Sequence, residues 1–168
     1  LVLKIMIQLL ILTWILIAGA VQQEQPCFDE TLKRRAEKAL ISECGANVVH
    51  YELIAENART LLFTLYADSL QCGYVAITSS MGRSEKFEYL VMYSNDVAVQ
   101  RISILQYRSS RGTGITSKRW LKQFVGNKGE VLTYGKDVQA ISGATFSAQS
   151  LTHDIPILSK WVSEQINK

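Results

Sequence analysis

Three hydroxyl side chains crowd one short stretch of the chain, Ser142-Gly143-Ala144-Thr145-Phe146-Ser147. Gly143 permits a tight turn, and the pattern that follows is helical. The first turn of a helix carries backbone N–H groups without intrahelical partners and a partial positive charge. A phosphate group finds a ready seat there. Two chemistries stay open for Thr145. It caps the helix through its hydroxyl, which is the commoner use of threonine at such a position. Or it is a modified residue whose phosphate-bearing adduct rests on the helix start.

Other chemistries find less support. The two histidines, His50 and His153, stand without a Ser-His-Asp or metal-binding arrangement. His50 lies in a strand pattern and reads as structural, and His153 reads as a surface residue of the last helix. The cysteines are Cys27, Cys44 and Cys72, and their spacing does not suggest zinc. Cys44 and Cys72 border elements and are the better candidates for a disulfide, with three free thiols the equal alternative.

Charge is unevenly placed. The chain has 168 residues and a net charge of +3, yet Val97 to Gly129 contains no acidic residue and seven basic ones. These are Arg101, Arg108, Arg111, Lys118, Arg119, Lys122 and Lys128. Such a stretch is an anion-binding surface or, more often, a solvated face. No aromatic–basic recognition motif accompanies it, which argues against nucleic acid as a partner.

The elements that must position these groups are legible from periodicity. Phe28 to Ser42 reads as an amphipathic helix capped by Asp29, with Phe28, Leu32, Ala36, Ala39 and Leu40 near one face. Strand patterns follow at Val48–Ile54, Thr60–Tyr66, Gly73–Ser79, Phe87–Tyr93 and Val97–Tyr107. Turns fall at Met81-Gly82-Arg83-Ser84 and Asn95-Asp96. Arg108 to Ile115 is a loop, Lys118 to Val125 a short helix ended by Gly126, and Val131 to Tyr134 a candidate short strand. From Thr145 the chain is helical, with a kink or break expected near Asp154-Ile155 because Pro156 lacks an N–H. The fold class is α+β: a largely antiparallel twisted sheet flanked by N-terminal and C-terminal helices, after an N-terminal hydrophobic segment.

That segment runs from Ile5 to Gln23, 19 residues without a charge. It is just long enough to span a membrane, and Ala18-Gly19-Ala20 also suits signal-peptide cleavage before Val21. Residues 1–23 are thus a signal peptide or a membrane anchor, and 24–168 one domain. Lys4 lies before the run, and Glu24, Asp29 and Glu30 lie after it. This asymmetry sends the domain across the inner membrane in both cases. The expected location is periplasmic or membrane-anchored, with the domain outside the cytoplasm.

The stretch Ile141-Ser142-Gly143-Ala144-Thr145-Phe146-Ser147 resembles the flavin attachment motif of the FMN-binding domain family. That family includes flavin-bearing components of the sodium-translocating NADH:quinone reductase and of the Rnf ferredoxin:NAD oxidoreductase, together with standalone proteins. Upstream, Tyr107-Arg108-Ser109-Ser110-Arg111-Gly112-Thr113-Gly114 keeps both glycines of a family loop but not its histidine, glutamate and threonine. Trp120, Phe124 and Gly126 follow in the family's order. The resemblance spans roughly 73–151 and fits a standalone member. Gln139 stands where the family has an acidic residue six positions before the threonine, with Asp137 two residues earlier.

The resemblance implies FMN held as a phosphoester on Thr145, within the turn of Ser142, Gly143 and Ala144. A separate FAD:protein FMN transferase would install it, and the domain would carry electrons between membrane or exported redox partners without being a stand-alone catalyst. Gly112 and Gly114 would admit the flavin ring, and Trp120, Phe124 or Tyr107 could cover its face. Arg111, with Arg101 and Arg108, would balance the phosphate. The competing expectation is a non-enzymatic exported module. It would bind flavin noncovalently, or an anionic partner such as an acidic protein or lipid head group, through its basic segment.

Overall fold

A computed structural model of the chain describes residues 29–44, 48–67 and 69–168. The apolar run Ile5 to Gln23, Cys27, Phe28 and the Cys44 side chain lie outside the described residues. Among the described residues, no helix is long and apolar enough to cross a membrane.

Helix α1 spans Glu30–Cys44. Asp29 starts it as expected: its carboxylate accepts the Leu32 N–H at 2.7 Å. Strands β1 (Val48–Asn57), β2 (Thr60–Ala67), β3 (Leu70–Met81), β4 (Lys86–Tyr93) and β5 (Val99–Gln106) follow. They form a five-stranded sheet in the order β1-β2-β3-β4-β5, antiparallel at every pairing. Then come a 3-10 turn at Thr113–Thr116, helix α2 (Lys118–Leu121) with a second 3-10 turn at Lys122–Phe124, and helix α3 (Thr145–Ile166).

The sheet carries a helix on each face. On one side Leu62, Ala76, Tyr89 and Val91 pack against Leu151, Ile155 and Val162 of α3. Trp120, Leu121 and Phe124 close the end of that core. On the other side Leu65, Val75, Ile77, Leu90 and Met92 meet Leu32, Ala36 and Leu40 of α1. A strand covered on both faces reads as a nearly continuous apolar run rather than as alternation. Strand β3 shows this, with every residue from Gly73 to Ser80 buried. Its buried polar groups are partly satisfied across the ladder, as in the Thr60–Thr78 hydroxyl pair at 2.9 Å.

Two sequence expectations are corrected, and of a third, a kink or break in the last helix, the break is ruled out. Helix α3 runs through Pro156 without a break. Ile155, Pro156, Leu158 and Ser159 are all buried, and that packing outweighs the one backbone hydrogen bond that proline removes. Val131 to Tyr134 is not a strand. Val131 is 79% exposed, and the N–H groups of Lys136, Asp137 and Val138 all turn back on the Thr133 carbonyl. Only an isolated bridge, Tyr134 to Val138, remains. The fifth strand begins at Val99 rather than Val97 because Val97 has φ 60, a turn conformation rare for a β-branched residue. Its N–H donates to the Ser94 carbonyl at 3.0 Å.

Cys72 is an exposed free thiol whose Sγ donates to the Leu65 carbonyl at 3.4 Å.

Candidate functional site

The turn before α3 decides what Thr145 can do. Gly143 adopts φ 76, and the Ala144 N–H closes on the Ile141 carbonyl at 3.3 Å. The helix therefore takes Ala144 as its N-cap, a residue without a capping side chain, and Thr145 becomes the first helical residue. The reading of Thr145 as the cap is thereby corrected. A hydroxyl caps from the N-cap position, one residue earlier than Thr145 stands. Thr145 is exposed, and its hydroxyl makes no hydrogen bond among the described residues. Nor does a strand lead into the turn. The Ile141 N–H is held by the Tyr134 hydroxyl at 3.0 Å.

Thr145 lines an open cleft of about 600 Å³. Gly143, Ala144, Phe146 and Ser147 share its α3 wall. Tyr107, Ser109, Ser110 and Arg111 enter from the loop after β5, and Arg83 and Ser84 from the β3–β4 turn. The walls offer hydroxyls, two guanidinium groups and a helix start, and no Asp or Glu is among them. That set fits an anion. The volume lies within the range of small-molecule and cofactor sites, roughly 300–1,000 Å³.

Tyr107 holds the cleft together. Its hydroxyl donates to the Arg111 carbonyl at 3.0 Å and lies 3.0 Å from Ser147 Oγ. With its own proton committed to Arg111, it accepts from Ser147. The loop and the helix start are thus pinned to each other beside Thr145. On the other side, the Gly82 N–H donates to the Glu85 carbonyl at 2.8 Å. This tight turn projects Arg83 toward Phe146, with Arg83 Cζ 5.7 Å from the ring centroid. Phe146 is 56% exposed, so that ring is an open apolar surface next to Thr145.

The other expected site residues divide. Arg111 lines the cleft. Arg108 does not: it is bound to Glu88 at 2.7 Å and to the Lys86 carbonyl at 3.1 Å. Arg101 borders a separate groove between β5 and α2. Ser142 is exposed in the turn but outside the cleft wall. Gly112 and Gly114 serve packing rather than an opening for a ring. A Cβ on Gly112, which has φ 82, would stand 2.7 Å from the Tyr107 hydroxyl and 3.3 Å from Ala144 Cα. One on Gly114 would stand 2.7 Å from Ile141 Cγ2. Both glycines let the loop press against the Thr145 turn.

Trp120 is a core residue, 6% exposed and edge-on to Phe124, and so is not a cover for the cleft. Its indole N–H donates to the Gln139 carbonyl at 2.7 Å, and the Gln139 N–H donates to Gln123 Oε1 at 2.8 Å. The Gln139 side chain is left exposed on a fixed backbone. The Asp137 carboxylate accepts the Thr133 N–H at 2.8 Å. His50 is exposed beside Glu52, and His153 is exposed on α3. Among the described residues, no group of three or more His, Cys, Asp or Glu could hold a metal ion.

Sequence reasoning missed Arg83, Ser84, Ser109, Ser110 and Phe146 as members of the cleft. Arg83 and Ser84 were legible as a turn, but nothing in their spacing ties them to a threonine far downstream. Phe146 could have been found, since an exposed aromatic directly after Thr145 breaks the apolar pattern of α3.

No protein-family model matches the chain, and no curated protein matches it.

Proposed function

We propose that the domain is an exported or membrane-anchored flavoprotein that carries FMN as a phosphoester on Thr145 and passes electrons between redox partners. The observation that carries this reading is a threonine hydroxyl at the start of a helix, on the wall of a cofactor-sized cleft, with no hydrogen-bond partner and no lining carboxylate among the described residues. The residues fit the group. The first N–H groups of α3 and the Arg111 guanidinium suit a phosphoester's charge. The Phe146 ring and the half-buried Tyr107 suit an aromatic ligand. When bound, FMN supplies the redox chemistry.

The chain's own part is positional. Thr145 provides the acceptor hydroxyl and is a substrate of a separate FAD:protein FMN transferase, not a catalyst. Tyr107 and Ser147 fix the loop that brings Arg111 to the cleft. The exposed segment around Gln139 is where a transferase meets the chain. The apolar run Ile5 to Gln23 acts as signal peptide or anchor, and a covalent bond keeps the flavin from being lost by dilution outside the cytoplasm.

Co-expression with a flavin transferase, followed by denaturing electrophoresis, tests the reading. A fluorescent band is expected that disappears in Thr145→Val. A band that survives the substitution, or none in the parent chain, overturns it. Gln139, in place of an acid, favours a second reading in which the cleft holds flavin phosphate without a bond. Yellow protein that loses its colour on denaturation would select that reading.

A further inference from the structure

Arg83 is the cation of the cleft that no sequence pattern marks. It comes from the β3–β4 turn, outside the basic stretch that begins after Val97. Several other cations are matched by carboxylates: Arg108 with Glu88, Lys128 with Asp96 and Arg59 with Asp154. Among the described residues, no carboxylate lies within ion-pair distance of Arg83 or Arg111, and both line the Thr145 cleft. Two guanidinium groups in one cleft repel each other, and among the described residues no Asp or Glu lines its wall. Each has several N–H donors in a fixed fork that suits phosphate oxygens. Arg83 is also held in place, since its guanidinium rests 5.7 Å from the Phe146 ring centroid. A guanidinium attracted to an aromatic face through its charge still has N–H groups at its own edge that can donate to an anion.

We propose that Arg83 and Arg111 together form a two-guanidinium seat for the phosphate of a flavin nucleotide, one that acts before and independently of any bond to Thr145. This rests on the flavin reading of the cleft and assigns its specificity to two side chains. The seat distinguishes FMN from riboflavin, which has the same ring and no phosphate. The remaining basic residues of the stretch, Arg101 and Arg108 included, are outside it.

The test uses the full chain carrying Thr145→Val, so that covalent attachment cannot contribute. FMN and riboflavin are titrated separately and binding is read from quenching of flavin fluorescence. The expected result is that FMN binds about ten-fold or more tightly than riboflavin. Arg83→Gln together with Arg111→Gln should remove most of that FMN preference, leaving what the first N–H groups of α3 supply, and leave riboflavin unchanged. Arg101→Gln should leave the FMN-to-riboflavin ratio as it was. Both cleft arginines are exposed, and an unchanged melting temperature confirms that the double variant is folded. Equal binding of FMN and riboflavin in the Thr145→Val chain overturns the proposal, as does an FMN preference undiminished by the double substitution. The outcomes separate from those of the covalent reading. A chain that is never flavinylated but prefers FMN through these arginines retains the seat and loses the phosphoester. A chain that is flavinylated on Thr145 without that preference does the reverse.

Discussion

The two faces of the sheet end in cavities of opposite character. Under α1 lies a groove of about 380 Å³, walled by Leu32, Ala36, Leu40, Phe63 and Val75. At the start of α3 lies the larger Thr145 cleft, walled by hydroxyls and arginines. The first is what remains when one helix covers a wide apolar sheet incompletely. Glu30, Lys33, Glu37 and Tyr51 also line it, so its charged groups are of mixed sign. The second is assembled from three separate segments, each fixed by its own hydrogen bonds. The α1 groove mixes acids with a base in a mostly apolar wall, whereas the cleft joins hydroxyls to cations, and those converging polar groups mark the candidate site.

The contrast should appear first in stability. Ile155 is fully buried between α3 and the sheet. Ile155→Ala is expected to cost about 2–5 kcal/mol in denaturant unfolding, because the tight core cannot collapse around the lost atoms. It should also loosen the Thr145 cleft, which α3 anchors. Leu40→Ala, on the α1 face, should fall at the low end of that same range, roughly 2 kcal/mol, because its gap opens onto an existing groove. Flavin retention should be unchanged in Leu40→Ala. Equal costs, or loss of flavin from the α1 variant, would break the proposed division between the faces.

A smaller effect tests how the cleft is held. Tyr107→Phe removes the bonds to the Arg111 carbonyl and to Ser147 while keeping the ring against Phe87. The expected cost is about 1–2 kcal/mol, the sum of two ordinary hydrogen bonds. Amide exchange should quicken in the loop from Arg108 to Gly112 and stay as before in α1. Exchange unchanged in that loop would mean that the glycine packing alone fixes it.

These differences also explain what the sequence disclosed. Strand β4 alternates Phe87, Tyr89 and Val91 on one face with Leu90 and Met92 on the other. Burial on both faces made it legible as a strand, and short turns made the antiparallel order legible. Thr145 at the start of a helix was legible for the same local reason. Whether it capped the helix was not, because that depends on the turn at Gly143 placing Ala144 first. Pro156 did not break the helix, because a local rule yielded to packing against the sheet. Trp120 and the paired glycines stood out in the sequence as cofactor contacts, but they serve the core and the loop contact. Arg83 was invisible because only the tertiary fold brings the β3–β4 turn to α3.

The smallest expected effect lies far from the cleft and shows why exposed charge there differs from charge in the site. The Lys128 ammonium, which donates to Asp96, holds its carboxyl down at about 2, with help from the Ser94 hydroxyl. The neighbouring Glu130 carboxyl is also lowered, first by the Lys128 backbone N–H. A carboxyl depressed in the folded state stabilises it above the ordinary value of 3.8, and that contribution disappears as pH falls through about 2. Melting temperature followed from about pH 5 to about pH 2 should therefore fall slightly less in Asp96→Asn than in the parent chain. The difference should shrink in high salt, because the pair is on the surface and screened. Arg83 and Arg111 have no such carboxylate partner among the described residues, and in the proposed reading a ligand neutralises their charge. If Asp96→Asn altered flavin binding as well, the surface pair and the cleft would be coupled, and treating them as separate electrostatic regions would be wrong.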